Sequence, residues 1–130
     1  MHNSKIKKKI ITLIGPTACN KTSTAVHLIK KFPISIIGVD SVQIYKRFNI
    51  GSAKPPKEIL EKYRHHLVDS ADPENIFSVK DFYDQAYRIV LQAHSNNRIP
   101  LLVGGTMMYF NAVFKGINDI PEGNEAIREE

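Results

Sequence analysis

The octet Gly15-Pro16-Thr17-Ala18-Cys19-Asn20-Lys21-Thr22 is built to hold phosphate. It matches G-x-x-x-x-G-K-[ST] at every fixed position but one, with Asn20 standing where the pattern has its second glycine. In such a loop, successive backbone N–H groups and a helix N-terminus form a concave anion site. Lys21 adds a point charge, and Thr22 offers a hydroxyl to Mg²⁺. The pattern is that of nucleotide- and ATP-binding loops, though the cradle itself recognises only phosphate. Asparagine tolerates positive φ better than most residues, so Asn20 is the mildest replacement for the glycine, yet its side chain narrows the cradle. Asp40 is the second residue with chemistry to offer. A carboxylate there can accept a proton or hold a metal-bound water; a simple cap at a loop start is the alternative reading.

Both groups need elements to position them. Ile10 to Ile14 is β-branched, apolar and bounded by Gly15-Pro16, which predicts a buried strand. Ala25, Leu28, Ile29 and Phe32 then recur at helical spacing until Pro33 ends the run. Ser35 to Val39 predicts a second strand leading into Asp40. The stretch from Ser41 to Lys57 has no clear period and reads as a long functional loop. A short helix is expected over residues 57–63. For residues 65–69, a small strand and a bare connection remain equally open. Ser78 with Asp81 forms a capping pattern, and Val79, Phe82, Ala86, Ile89, Val90 and Ala93 share one helical face until Asn96-Asn97. Ile99 to Val103 predicts a third strand, with Pro100 near its start, where a missing N–H costs least. Gly104-Gly105 turns the chain into a helix from about Thr106 to Lys115, with Gly116 expected as its cap. Alternation of this kind predicts an α/β fold: a parallel sheet with flanking helices, with its ligands at the C-terminal strand edge.

Four segments together carry a resemblance. Besides the octet, the chain has Asp40-Ser41-Val42-Gln43-Ile44-Tyr45-Lys46 running on to Gly51-Ser52-Ala53-Lys54-Pro55, then His65-His66-Leu67-Val68-Asp69, then Leu101 to Tyr109 with Gly104-Gly105-Thr106 inside. In that order they resemble the N-terminal portion of the tRNA dimethylallyltransferase (tRNA isopentenyltransferase) family. The resemblance extends over nearly the whole chain. It implies a P-loop-containing nucleoside triphosphate hydrolase-like fold. It also implies transfer of a dimethylallyl group from dimethylallyl diphosphate to N6 of the adenosine 3′ to the tRNA anticodon, without ATP. Gly15 to Thr22 would bind the diphosphate with Mg²⁺ on Thr22, Asp40 would be the general base, and Thr106 would be a second catalytic residue. By the same resemblance Asp40, Ser41, Val42 and Gln43 would contact the flipped nucleotide, Thr106 the tRNA near the reacting centre, and Arg128 the tRNA again.

Composition sets bounds on this. With 130 residues and 42% hydrophobic content, residues 1–130 are expected to form one domain with a modest core. The formal charge of +5 is compatible with a polyanionic partner. One cysteine excludes an intramolecular disulfide and suits a reducing cytoplasm; no apolar run is long enough for a bilayer. A monomer without membrane attachment is expected. Residues 124–130 read as a helix cut short, so the family's helical tRNA-binding domain is expected to be mostly missing. His65-His66 lacks zinc-site spacing and reads as structural, and Lys5 to Lys9 as a solvated charge run. Met107 to Phe110 reads as mostly core; Tyr45 suits core packing and base stacking equally. Three further readings remain open: a P-loop small-molecule kinase, an adenylate-type isopentenyltransferase and an inactive P-loop remnant. The kinase would need a metal-holding Asp after a later strand, where Gly104-Gly105-Thr106 stands.

Overall fold

The computed structural model describes residues 9–15, 20–46 and 54–118. Four strands, β1 (Ile11–Ile14), β2 (Ile34–Val39), β3 (His65–His66) and β4 (Ile99–Gly104), form one all-parallel sheet in the order β1-β4-β2-β3. The three strands expected from apolar runs lie side by side. Four helices complete the described fold: α1 (Lys21–Lys31), α2 (Lys57–Lys62), α3 (Val79–Ser95) and α4 (Met107–Asn118). Side chains alternate across the sheet. Ile34, Ile36 and Leu101 pack with Ala25 of α1 on one face. Ile37, Val39 and Leu102 pack on the other with Phe82, Ala86 and Val90 of α3 and Tyr109, Phe110 and Val113 of α4. A core-facing strand buried on both sides reads as a continuous apolar run, which is why β2 and β4 are legible in the sequence.

Local chemistry accounts for the element ends. Ser78 and Asp81 close a reciprocal capping box at the start of α3, worth about 1 kcal/mol. At its other end Asn97 takes φ 59°, and its N–H and that of Arg98 satisfy the carbonyls of His94 and Ala93. Pro100 is tolerated inside central β4 because β1 begins its pairing only at Leu101, one residue on.

Four expectations need correction. Phe32 is not on the buried face of α1: it is 52% exposed, in extended conformation before Pro33, beyond the last helical residue. Gly116 does not cap α4, which runs on to Asn118. A Cβ at Gly116 would lie 2.1 Å from the Tyr83 ring, so the glycine admits α3 close against α4. Likewise Met107 and Met108 are exposed, and only Tyr109 and Phe110 of that run are core. Nor is the strand over Ile11–Ile14 buried: among the described residues β1 pairs with β4 on one side alone, and Ile11 and Ile14 are exposed along it. No described helix is long and apolar enough to cross a membrane.

Candidate active site at the C-terminal edge of the sheet

The adjacent strands β1, β4 and β2 each end in one of the sequence motifs, and all three run in the same direction. Gly15 follows β1, Gly105-Thr106 follows β4 and Asp40 follows β2, so one sheet edge collects them. Backbone bonds tie them together: Gly15 N–H donates to the Gly104 carbonyl, and the N–H groups of Gly105 and Thr106 both donate to the Val39 carbonyl, each at 3.2 Å. The approach requires glycine at 104, where a Cβ would sit 2.0 Å from the Val39 oxygen. Thr106 is thereby delivered to the turn after β2, and its Oγ1 accepts the Ser41 N–H at 2.9 Å.

Asp40 caps its own turn. Its Oδ1 accepts the N–H groups of Val42 and Gln43, at 2.8 and 3.0 Å, and its carbonyl accepts Ile44 N–H. The capping alternative holds for Oδ1, and neither of these amide bonds uses Oδ2. Val42 is exposed, while Ser41 and Gln43 are half-buried. Tyr109 packs under the same turn, its ring stacked on Phe82 at 4.1 Å between centroids. Burial raises the Tyr109 hydroxyl pKa, with further contributions from Tyr45 and from the charges of Asp40 and Asp81. Tyr45 is half-buried against the core, its hydroxyl accepting Phe77 N–H at 3.2 Å.

On the phosphate side, Lys21 and Thr22 occupy the first turn of α1, and Lys21 Nζ donates to the Gly15 carbonyl at 2.6 Å. The ammonium thus bridges the strand end and the helix start that flank the loop. Asn20 precedes the helix with φ −4° and no side-chain cap, so the left-handed backbone that motivates a glycine is not used there. Asn20, Lys21 and Thr22 line a cavity of about 540 Å³ that reaches Ile59 of α2. Pro16, Thr17, Ala18, Cys19 and Arg128 lie outside the described residues. Among the described residues no three His, Cys, Asp or Glu side chains gather to cage a metal. The single hydroxyl of Thr22 beside Lys21 suits Mg²⁺ carried on a diphosphate, because this ion keeps several waters and takes other ligands from substrate phosphates.

His65 and His66 form the short strand β3. His65 Nδ1 lies 2.8 Å from the Tyr63 carbonyl, and both rings sit in β3. Burial lowers both pKa values from 6.5, aided at His66 by Arg64 and Arg98 and opposed at His65 by the Tyr63 bond. The folded state therefore favours the neutral rings. Their contribution to stability is complete above about pH 6.5 and is lost as pH falls through that value toward the lowered ones. The urea midpoint is expected to drop between about pH 7.5 and 5.5, with a smaller drop in His66→Gln. A cavity of about 700 Å³ beside His66 lies near the opposite strand ends, and its half-buried Arg98 is already committed to Ser35 Oγ and the Ile34 carbonyl.

Lys54 and Asp69 are the residues that sequence reasoning passed over. Both stood inside quoted segments, but no local pattern links positions fifteen apart, and only the fold pairs them at 2.9 Å.

Comparison with known proteins gives this geometry a context. The family model described as IPP transferase matches residues 43–130. A tRNA dimethylallyltransferase of Dichelobacter nodosus is 45% identical over 121 residues, covering 93% of this chain and 38% of that protein. One from Legionella pneumophila is 44% identical over 124 residues, covering 95% and 40%. The crystal structure of the full-length tRNA isopentenylpyrophosphate transferase of Bacillus halodurans superimposes with a TM-score of 0.77 at 40% identity, covering 94% of this chain and 41% of that one. A eukaryotic dimethylallyltransferase acting on tRNA gives 0.76 at 30% identity, covering 81% and 26%. The chain spans about 40% of the length of the curated relatives.

Proposed function

The chain belongs to the IPP transferase family, and on that premise we propose that it carries the diphosphate- and base-facing part of a tRNA dimethylallyltransferase. The observation that supports this most directly is the meeting of Gly15, Asp40 and Thr106 at one sheet edge, with Ser41 bonded to Thr106. In the reaction, the bond between the allylic C1 and the diphosphate oxygen breaks and pyrophosphate leaves with that electron pair. The N6 lone pair of the adenosine 3′ to the anticodon bonds to C1, and N6 gives up a proton.

Each residue has a part in that balance. Lys21 and the helix N-terminus stabilise the negative charge that builds on the departing pyrophosphate. Thr22 would hold Mg²⁺, which when bound neutralises part of the same charge. Asp40 takes the N6 proton on Oδ2 while Oδ1 keeps the turn in place. The adenine must leave its stack to reach this edge, and Ser41, Val42 and Gln43 flank the place it would enter. Arg128 is carried as a further tRNA contact. We place the protein in the cytoplasm with its RNA, as a monomer.

The experiment is transfer of radiolabelled dimethylallyl from its diphosphate to an anticodon stem-loop, by a chimaera joining this chain to the remaining length of a relative. Label in N6-modified adenosine supports the proposal; no label on RNA, with the chimaera folded, refutes it. In this assay Thr106→Ala is expected to lower kcat/KM for the RNA roughly two- to tenfold, the worth of one neutral hydrogen bond of about 0.5–1.5 kcal/mol. An unchanged value would reduce Thr106 to a backbone connector.

A further inference from the structure

Lys54 has a side chain only 5% exposed, and a buried ammonium persists only with partners. Its Nζ donates to the Tyr45 carbonyl at 2.7 Å and to Asp69 Oδ1 at 2.9 Å. These acceptors belong to different segments. Tyr45 closes the turn that begins at Asp40, and Asp69 lies in the connection that follows β3. Backbone bonds run between the same two segments: Asp69 N–H to the Gln43 carbonyl at 2.9 Å, the N–H groups of Ser70 and Ala71 to that of Ile44 at 2.8 Å, and Lys46 N–H to that of Ala71 at 2.8 Å.

The connection after β3 adopts a conformation side chains rarely take, with Leu67 at φ 63° and Asp69 at φ 58°. Backbone of this kind persists where the surroundings over-determine it, and it gathers near functional sites. At its near end the Asp40 turn is fixed by Thr106 and by the Asp40 carboxylate itself. At its far end it is held by the backbone ladder and by an ammonium that grips both segments at once.

We propose that Lys54, with Asp69, is a positioning residue for the Asp40 turn, fixing its far end so that the Asp40 carboxylate keeps its place beside Thr106. The proposal deepens the functional reading above and rests on it for the role of Asp40. Lys54 does not touch the reacting atoms. It acts through the turn, and a base displaced by about 1 Å can lose about 10²-fold in rate.

The first arm of the test is amide hydrogen exchange on the 130-residue chain, wild type against Lys54→Met and Lys54→Arg. In Lys54→Met, exchange is expected to quicken at the amides of residues 42–43 and 69–71 while those of β4 and α3 keep their protection. Lys54→Arg, which can still span two oxygens, is expected to keep most of the protection. The second arm measures kcat and KM in the chimaera. Lys54→Met is expected to lower kcat by about 10- to 100-fold with the KM for the diphosphate within about twofold, and Lys54→Arg to recover most of the loss. Should Lys54→Met fail to fold, Asp69→Asn takes its place in both arms.

Loss of protection spread through β4 and α3 would mean general destabilisation and overturn the proposal. So would an unchanged kcat in an active chimaera. An inactive parent chimaera would instead refute the functional reading. The exchange arm would then decide the placement alone: selective quickening at 42–43 and 69–71 upholds it, and its absence overturns it.

Discussion

Replacing Asp40 by asparagine is expected to lower prenyl transfer by about 10²–10⁴-fold, the usual contribution of a positioned general base. The substitution isolates the base because of how the turn is built. The Val42 and Gln43 amides are accepted by Oδ1, and an asparagine keeps a carbonyl oxygen there. The turn and its bond to Thr106 therefore survive, while the acceptor for the N6 proton does not. The loss is expected in kcat under single-turnover conditions, with diphosphate affinity and the urea midpoint close to wild type. Asp40→Ala should differ: without Oδ1 two amides lose their acceptor, and both stability and the KM for RNA should suffer as well. Near-full turnover in Asp40→Asn would leave Asp40 with its capping role alone.

Lys21→Ala is expected to weaken binding of dimethylallyl diphosphate by about 10- to 100-fold, the scale of a hydrogen bond to a charged group worth about 1.5–3 kcal/mol. Lys21 stands in the first turn of α1 with its ammonium on the Gly15 carbonyl, so it already joins the two residues that flank the loop. Isothermal titration on the 130-residue chain tests this with dimethylallyl diphosphate and with pyrophosphate. Similar losses for both are expected, because the proposed contact is to the diphosphate and not to the allyl group. Lys21→Arg should restore charge but only part of the affinity, since a planar fork does not replace a point donor. Equal affinity in wild type and Lys21→Ala would remove the loop from the reaction.

Some of this protein is written along the chain. Ile34–Val39 and Ile99–Gly104 are apolar runs whose burial on both faces shows directly in composition. α3 announces its start through Ser78 and Asp81, three residues apart, and its buried face through a helical repeat. The octet Gly15–Thr22 stands out for the same reason, since its motif residues are contiguous. In each case the interacting residues lie within one or two turns of each other, where spacing alone decides which side chains meet.

Other features exist only once strands are ordered in the sheet. β3 is two residues long, and no period can be read from His65-His66; it is a strand because the open side of β2 at Ile36 and Ile37 offers it partners. Gly116 looks like a helix cap from its neighbours, and only the Tyr83 ring of a helix more than twenty residues earlier shows why a side chain is excluded. Ser41 and Thr106 are 65 positions apart, and Lys54 and Asp69 are 15 apart. Placing β4 between β1 and β2 sets Gly15, Asp40 and Thr106 at neighbouring strand ends, because parallel strands present their C-termini at the same edge. The residue types at the site are a property of the sequence; their convergence is a property of strand order, which backbone pairing and the burial of both sheet faces decide.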